Sequence, residues 1–311
     1  MNIGILGCSQ VFENAIIKPG IVNVMGIASR KKEKAEEYAK KYNIAKVYDS
    51  YEDLLNSDEI DTVYIAFPPI LQPQWVENAI KNEKNVLVEK PLTIKYDEIL
   101  QIEPIIMNSS RIVLEGVMTQ FHPWQSYIKE IILGKVYGNI VRISTVINMI
   151  MPDNKMGFRN NKSLGGGVFY DQSSYWLQFL QYVVGLNFNV YNLKTLKKNE
   201  VDREIEFSGK IGGADVFFSA SYEKEYEVNH EIIFEKATIK IKNFFRAAMG
   251  KYKITVEIIS DGKKEKKIFE PQNYYQNQLV EFLKMDKETS NKYWEKTKER
   301  IYWIDQIGQQ I

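Results

Sequence analysis

The sequence contains very little cysteine and very little histidine. Its 311 residues include one cysteine, Cys8, and two histidines, His122 and His230. A single cysteine cannot form a disulfide within the chain, which fits a reducing compartment such as the cytoplasm. Neither histidine lies in a cluster of cysteines, histidines and carboxylates, so we expect no bound metal and in particular no zinc site.

The sequence also has no marked excess of basic over acidic residues or of acidic over basic residues. The chain carries 41 Lys+Arg and 40 Asp+Glu, which gives a formal net charge of +1 at pH 7. Nucleic acids and anionic membranes attract basic excess, so neither is an expected partner. No apolar run approaches the ~18–20 residues that span a bilayer. The N-terminus lacks the pattern of a signal peptide, because the first predicted strand begins at Asn2. We therefore expect a cytoplasmic protein.

The remaining composition is that of a globular protein, with 44% hydrophobic and 26% charged residues, and the length suggests about two domains. The first ~120 residues alternate apolar runs with helical patterns, which is typical of parallel βαβ units. We predict a doubly wound, Rossmann-type α/β sheet of six strands in residues 1–120. The located strands are NIGILG (2–7), VNVMGIAS (22–29), TVYIAF (62–67), NVLVEK (85–90) and RIVLEGV (111–117), with helices at 31–42, through QPQWVENAIKN and at 96–107.

The pattern changes after this region. A helix is predicted at 122–133, ending at Gly134, and an aromatic helix follows the glycine run LGGG (164–167). Residues 187–269 show period-two alternation without long helices, which favours an antiparallel sheet. Helices at 273–285 and 292–307 close the chain. We therefore predict a second, α+β domain at 121–311 with a large, mainly antiparallel sheet, and the C-terminal helix packing back on the first domain.

The stretch GILGCSQVF follows the pattern of a dinucleotide-binding loop only in part. A G-x-G-x-x-G/A turn would have small residues at three positions, but Ser9 and Phe12 follow Gly7 at the second and third. The glycines of such loops allow a tight turn, close approach to pyrophosphate and close helix–strand packing. Taken alone, the stretch fits an ordinary strand–turn–helix and a phosphate loop equally well.

The end of the second strand favours NADP(H) over NAD(H). In Rossmann domains this position carries a carboxylate for the NAD ribose or a cation for the 2′-phosphate. Here the strand ends in Ser29 and Arg30, followed by Lys31 and Lys32. A hydroxyl beside a guanidinium suits a phosphate monoester. A solvated, charged helix start is the alternative explanation.

The segment VLVEKPLT (86–93) is the most informative in the sequence. Glu89 and Lys90 lie at the carboxyl end of a predicted parallel strand, where open α/β sheets bind their ligands. Pro91 restrains the backbone at this point, and its peptide bond is a candidate for the cis form.

Four segments resemble the Gfo/Idh/MocA oxidoreductases, whose hallmark is Glu-Lys-Pro at the end of this strand. They are DTVYIAFPPILQPQWVENAIKNEKNVLVEKPLT (61–93), LEGVMTQFHP (114–123), residues 138–144 and FRNNKSLGGGVFYDQSSYW (158–176). Asp171 and Tyr175 match the family's D-x3-H/Y pattern in its tyrosine form, which is similar to some deoxysugar ketoreductases and dihydrodiol dehydrogenases. The sequence departs from the family at Ser9, Phe12, Gln120 and Ser173.

The resemblance implies a set of site residues. Lys90, Tyr175 and Asp171 would be catalytic, and all three would also contact substrate together with Arg159 and Gln120. Gln72 stands where many relatives carry histidine. Residues implied to bind the cofactor are Gly7, Cys8, Ser9, Gln10, Val11, Phe12, Ser29, Arg30, Phe67, Pro68, Leu71, Gln72, Glu89 and Lys90.

The chemistry of carbonyl reduction fits these residues. Addition of hydride creates an alkoxide that must receive a proton, and Tyr175 is a candidate donor. A free phenol has a pKa of about 10, so a cation such as Lys90 is needed to lower it. The same ammonium would stabilise negative charge on the carbonyl oxygen. Asp171, one helical turn before Tyr175, would orient these groups. The alternative is that both residues are structural, with Asp171 a carboxylate at the start of a helix and Tyr175 a packed aromatic.

The predicted function is an NADP(H)-dependent oxidoreductase acting on a sugar or a nucleotide-linked keto-sugar. A dihydrodiol or aldose dehydrogenase with the same groups is a second interpretation, and a non-catalytic nucleotide-binding sensor is a third. One face of the antiparallel sheet needs a cover, so a homodimer or homotetramer through that sheet is expected.

Overall fold

The computed structural model describes residues 1–311 apart from the side chain of Val190. The chain divides into two units. The first comprises residues 1–117 and 275–302, and the second comprises residues 118–274 and 303–311. The sequence-based boundary after residue 120 lies three residues from the structural division, and most of the C-terminal helix is assigned to the first unit.

The first unit is built on a six-stranded sheet whose order, β3-β2-β1-β4-β5-β6, is that of a Rossmann fold. All five neighbouring pairs are parallel. The strands are β1 (Asn2–Leu6), β2 (Asn23–Ala28), β3 (Lys46–Tyr48), β4 (Thr62–Ile65), β5 (Asn85–Glu89) and β6 (Val113–Gly116). The predicted fold class is confirmed, and β3 is the strand for which the sequence analysis located no segment.

Helices flank this sheet between the strands. They are α1 (Lys32–Tyr42), α2 (Tyr51–Leu55), α3 (Gln72–Lys81) and α4 (Tyr96–Asn108). Two alanines, Ala35 and Ala39, form the buried face of α1, while the Ser50 side chain accepts the Asp53 N–H and so begins α2. A π-helical turn, Glu13–Ile17, follows β1.

The second unit contains an eight-stranded sheet of order β14-β13-β12-β11-β7-β10-β9-β8. Its pairs are antiparallel except for β10 and β7, which run parallel. The strands are β7 (Ile140–Asn148), β8 (Phe188–Lys198), β9 (Val201–Ile211), β10 (Ala214–Ser221), β11 (Glu227–Phe234), β12 (Thr238–Lys242), β13 (Ile254–Ser260) and β14 (Lys263–Phe269). The predicted, mainly antiparallel sheet is therefore present.

The helices of the second region are α5 (Pro123–Leu133) and α6 (Val168–Val183), and the last two of the chain are α7 (Tyr274–Lys284) and α8 (Lys287–Gly308). Trp176 of α6 stacks on Phe218 of β10 with ring centroids 4.5 Å apart. Every second residue of β11 is buried, which produces the alternation seen in the sequence. Among the described residues, no helix is both long and apolar enough to cross a membrane.

Candidate functional site

Gly7 shapes the turn that follows β1. Its φ of +94° lies in the region that favours glycine. A Cβ at this position would lie 2.7 Å from Cε1 of Phe67. The Gly7 N–H donates to the carbonyl of Ala28 at the end of β2 (3.0 Å). The first glycine of the incomplete motif is therefore required by both backbone conformation and space.

The bulky third position of the motif has a packing explanation. Phe12 is fully buried, and its ring packs on Tyr38 and Tyr42 with centroids 5.6 and 5.2 Å away. Only the backbone of Phe12 is therefore available to a ligand. Ser9, at the second position, has a hydroxyl that is shielded from solvent and has no hydrogen-bond partner among the described residues.

The other loop residues differ in their exposure. Cys8 is half-buried, and burial raises the pKa of its thiol, with an opposing contribution from a hydrogen bond to Ser29. Gln10 is exposed and Val11 is half-buried. The turn thus combines Gly7, the Ser9 hydroxyl without a hydrogen-bond partner among the described residues, and the exposed Gln10. This combination fits a pyrophosphate group.

Arg30 lies just beyond the end of β2. Its side chain is exposed and forms no ion pair among the described residues. Its backbone N–H donates to the Tyr51 hydroxyl (3.2 Å). Lys32, two residues on, is paired with Asp49. Arg30 and the neighbouring Lys31 are thus two exposed cations beside Ser29 that form no ion pair in the part of the chain that the structure describes.

An aromatic cluster that the sequence analysis missed supports this end of the sheet. Tyr51 lies edge-on to Phe67 (5.1 Å between centroids) and to Trp75 (4.8 Å). Phe67, which also sets the space at Gly7, was predicted to line the cofactor site, but Tyr51 and Trp75 were not. Trp75, which follows Phe67 by eight positions in FPPILQPQW (67–75), was the sequence feature that could have indicated this cluster. Pro68 and Leu71 are both half-buried.

Glu89 ends β5 and Lys90 follows it directly, at the carboxyl end of a parallel strand as predicted. The Glu89 carboxylate is buried and accepts a hydrogen bond from the Tyr64 hydroxyl (2.6 Å). Burial raises the pKa of this carboxyl, and the Tyr64 hydrogen bond opposes the change. Lys90 is half-buried, and the Lys90–Pro91 peptide bond is cis. Glu89 therefore has a structural partner within the unit, and Lys90 is the less buried of the two residues.

Gln72 supports the loop that contains Lys90. Its side chain is fully buried, and its amide nitrogen donates to the carbonyls of Glu89 (2.9 Å), Pro91 (2.8 Å) and Leu92 (3.3 Å). A side chain held in this way contacts the loop backbone. The structure thus places Gln72 beneath the loop, and any contact with nicotinamide would be indirect.

In the second unit, the glycine run folds against the segment that contains Arg159. The N–H of Gly166 donates to Asn161 O (3.0 Å), and that of Gly167 donates to Arg159 O (2.9 Å). A Cβ on Gly166 would lie 2.6 Å from Arg159 O. The run is therefore needed for close backbone approach, which brings Arg159 beside the start of α6.

Asp202 of β9 caps α6. Its carboxylate accepts the Phe169 N–H (2.7 Å) and fills the space that a Cβ on Gly167 would need. Burial raises the pKa of Asp202 to about 6, an effect opposed by the backbone hydrogen bonds. This cap was not predicted, because the two residues are 33 positions apart.

Asp171 is the centre of a buried hydrogen-bonded cluster. Arg159 binds it in a bidentate manner, from Nε to Oδ2 (2.9 Å) and from Nη2 to Oδ1 (3.1 Å). The Tyr222 hydroxyl (2.7 Å) and the Gln172 amide (2.9 Å) also donate to Oδ2. The Asp171 charge raises the pKa of Arg159, and burial raises that of Tyr222. The structure thus brings two predicted residues together and adds Tyr222.

Tyr175 lies one turn after Asp171 on α6. It is half-buried, and its ring packs edge-on against Phe245 (4.7 Å). Gln120 is half-buried, and its amide nitrogen has no hydrogen-bond partner among the described residues. His122 is buried at the start of α5, where its Nδ1 accepts the Trp124 N–H (3.3 Å). Burial lowers the pKa of His122 to about 4, so it serves as a neutral packing residue.

Several curated proteins are similar to this chain. A D-xylose 1-dehydrogenase (NADP+) from Haloferax volcanii is 30% identical over 199 residues, covering 63% of this chain and 61% of the relative. A dTDP-3,4-didehydro-2,6-dideoxy-alpha-D-glucose 3-reductase from Actinomadura kijaniata is 24% identical, covering 67% and 63%. An uncharacterized oxidoreductase from Rhizobium meliloti is 30% identical, covering 56% and 53%. The matches thus span less than two thirds of these relatives.

Solved structures share the whole fold at low sequence identity. A 3-ketoreductase from Actinomadura kijaniata, in complex with NADP and TDP-benzene, superposes with a TM-score of 0.90 at 19% identity, covering 98% of this chain and 96% of that one. An aldose-aldose oxidoreductase from Caulobacter crescentus, complexed with glycerol, has a TM-score of 0.78 at 19% identity, covering 99% and 98%. At these identities the likeness establishes the fold alone.

Two family models match, one in each part of the chain. Residues 1–116 match the oxidoreductase family with an NAD-binding Rossmann fold. Residues 126–240 match the GFO/IDH/MocA C-terminal domain. The two matches cover more than half of the sequence and confirm the family inferred from the Glu-Lys-Pro and glycine-run segments. The chain belongs to the GFO/IDH/MocA family of oxidoreductases.

Proposed function

We propose that this protein is an NADP(H)-dependent oxidoreductase that acts on a sugar or a nucleotide-linked keto-sugar. The observation that carries the proposal is the position of Lys90. Its half-buried side chain follows β5 directly, at the carboxyl end of a parallel strand. Ligands of open parallel sheets bind at that edge, and an ammonium there can stabilise negative charge on a carbonyl oxygen.

The residues around the first turn fit a dinucleotide. Gly7 supplies the tight turn, and the Ser9 hydroxyl lacks a protein partner. Backbone N–H groups of Gln10 to Phe12 are available for phosphate because the first N–H groups of a helix have no partner within it. Arg30 and Ser29 would meet the 2′-phosphate, which favours NADP(H). When bound, the nicotinamide supplies or accepts hydride.

One side chain would stabilise the negative charge on the reacting oxygen of the substrate, and another would transfer its proton. The Lys90 ammonium would donate a hydrogen bond to the reacting oxygen as negative charge develops. Tyr175 would give or take the proton on that oxygen. Asp171 has both carboxylate oxygens occupied by Arg159, Tyr222 and Gln172. We therefore assign Asp171 to holding Arg159, whose partly exposed guanidinium would contact substrate.

The substrate class rests on the activities named for the relatives. They include a D-xylose dehydrogenase and a reductase of a dTDP-linked deoxysugar. A relative from Xenopus tropicalis, 29% identical over 160 residues, is a trans-1,2-dihydrobenzene-1,2-diol dehydrogenase. All three names describe oxidation or reduction at a carbon that bears oxygen. A dihydrodiol or aldose dehydrogenase is thus the second candidate, with the same groups.

A homodimer or homotetramer through the eight-stranded sheet also belongs to the proposal. Side chains such as Leu196 of β8 and Ile268 of β14 are 54% and 50% exposed. Burying such residues against a second copy would be favourable. Sedimentation equilibrium should give a dimeric or tetrameric mass, and a monomer at micromolar concentration would contradict this part.

The function is tested by binding followed by turnover. Fluorescence quenching and thermal shift with NADPH and NADH should show tighter binding of NADPH. A panel of D-xylose, trans-dihydrobenzenediol and a dTDP-linked keto-sugar, each with the matching oxidised or reduced cofactor, should then identify a substrate. Binding of NADPH without turnover on any member would favour a sensor, and absence of binding would contradict the proposal.

A further inference from the structure

The segment from Glu89 to Leu92, here called the lysine loop, is held from below by one amide. The Gln72 nitrogen donates to three of its carbonyls, those of Glu89, Pro91 and Leu92. Lys90 is the one residue of the loop whose carbonyl Gln72 does not bind. Because Gln72 is fully buried, no water can replace these hydrogen bonds without a change in packing.

A second contact holds the far end of the loop. The Leu92 N–H donates to Glu115 Oε1 (3.1 Å). The other oxygen of this carboxylate, Oε2, is 2.5 Å from Arg300 Nη2 of α8 and also accepts from the Thr297 hydroxyl (3.2 Å). The Glu115 and Arg300 side chains are each 1% exposed. A buried ion pair with additional hydrogen bonds has a fixed geometry, so Glu115 is a rigid anchor.

A third contact holds the start of the loop, where the Tyr64 hydroxyl donates to the Glu89 side chain (2.6 Å). The backbone on both sides of Lys90 is therefore fixed by buried groups, while the lysine side chain is only half-buried. The contacts to the loop come from β4, α3 and β6, and α8 holds the Glu115 side chain in turn. These hydrogen bonds add to the restraint that Pro91 already places on its own φ angle, so they hold the loop more firmly than a turn requires for its own stability.

The geometry points to Gln72 and Glu115 as positioning residues for Lys90, an inference that rests on the proposed function of this lysine. Gln72 fixes the carbonyls on either side of Lys90, and Glu115 fixes the amide two residues later. The ammonium must lie within hydrogen-bond distance of the reacting oxygen, and a displacement of about 1 Å costs up to about a hundredfold in rate. Neither residue touches substrate.

The first experiment compares Gln72→Met with Gln74→Met. Both replace glutamine by methionine on α3, but Gln74 is exposed. We expect Gln72→Met to speed hydrogen exchange of the Leu92 amide at least tenfold and to leave NADPH affinity within about twofold. On the best substrate of the panel, its kcat should fall about tenfold or more, whereas Gln74→Met should match the wild type. Unchanged Leu92 exchange and unchanged kcat in Gln72→Met would overturn the inference.

The second experiment is a double-mutant cycle with Lys90→Ala. If Gln72 acts through Lys90, Lys90→Ala/Gln72→Met should be no slower than Lys90→Ala alone. Losses that multiply would show that Gln72 acts elsewhere and would overturn the positioning role. Wild-type turnover in Lys90→Ala would instead overturn the proposed function. If Gln72→Met does not fold, Glu115→Gln provides the same cycle at the second positioning residue, whose carboxylate accepts the Leu92 N–H, and multiplying losses there would again overturn the inference.

Discussion

The lysine loop of the first unit and the Asp171 cluster of the second place functional side chains in opposite ways. In the lysine loop, buried neighbours bind the backbone, and Lys90 extends from it. In the Asp171 cluster, the charged side chains bind each other, with Arg159, Tyr222 and Gln172 all donating to one carboxylate. In the lysine loop the buried groups therefore fix the backbone, whereas in the Asp171 cluster the hydrogen bonds fix the charged side chains themselves.

The three predicted catalytic residues, Lys90, Tyr175 and Asp171, accordingly divide into two kinds. Lys90 and Tyr175 are both half-buried, and we propose that both contact the substrate. Asp171 is buried, and its carboxylate already accepts four hydrogen bonds. A carboxylate so engaged gives up or accepts a proton only at the expense of those bonds. We therefore propose that Asp171 orients Arg159, and we expect distinct mutational effects for the two groups.

The largest effect is expected for Tyr175→Phe. Loss of a proton donor typically lowers turnover by about 10²–10⁴-fold. The phenylalanine ring keeps the edge-on contact with Phe245, so the protein should still fold. Steady-state kcat and a thermal melt provide the measurement, with Tyr182→Phe on the same helix as the control. Turnover within twofold of the wild type would remove Tyr175 from the mechanism.

Lys90→Ala should lower kcat by about 10²–10³-fold, the usual cost of one group that stabilises an oxyanion. The loop backbone is held by Gln72 and Glu115, so the fold and NADPH affinity should persist. Comparing kcat with the dissociation constant of NADPH separates the two effects. Lys95→Ala, at an exposed lysine five residues on, is the control. A loss confined to NADPH affinity would assign Lys90 to cofactor binding alone.

Asp171→Asn should act mainly on stability. It removes the charge that pairs with Arg159, and breaking a buried pair costs about 3–5 kcal/mol. Because the Arg159 side chain is 31% exposed, solvent should reduce this to about 2 kcal/mol. Urea unfolding measures the loss, and Tyr222→Phe should give a smaller one. A fully stable Asp171→Asn protein with no turnover would instead make Asp171 a direct participant in the reaction.

The last expected effect is a pH dependence of stability at the cap of α6. Burial raises the pKa of Asp202 to about 6, whereas an unfolded aspartate has a pKa of about 3.9. Between these values the folded chain keeps a proton that the unfolded chain releases, so this group lowers the unfolding free energy as pH rises from about 4 to 6. Asp202→Asn should remove that slope and gain about 2–3 kcal/mol relative to the wild type by pH 7. Parallel urea curves show it, and a constant difference across this range would refute it.

Much of this molecule was predictable from local patterns. Apolar runs alternating with helical patterns located five of the six parallel strands, and the Glu-Lys-Pro and glycine-run segments identified the family. The three-residue strand β3, Lys46–Tyr48, is too short to show a period. β7 and β10 pair in parallel within a mainly antiparallel sheet. The two strands are distant in sequence, so no local pattern predicts the direction of this pairing.

The partners of the site residues could not be predicted, because they lie far away in sequence. Gln72 is 17 to 20 positions from the carbonyls it binds, and Tyr222 is 51 positions from Asp171. Phe12 was predicted as a departure within a cofactor loop, and only the packing of Tyr38 and Tyr42 explains its size. Residue types indicated which chemistry to expect, and tertiary contacts decided which side chains are available for it.

The central claim is that hydride passes between a nicotinamide and a carbon of a carbohydrate-like substrate. The most direct measurement is mass spectrometry of the product formed with NADPH that carries deuterium at both C4 positions, using the best keto substrate of the panel. The account predicts one deuterium in the product for the wild type, with formation at least about a hundredfold slower in Lys90→Ala. A protein that binds deuterated NADPH but transfers no deuterium to any substrate of the panel would contradict it.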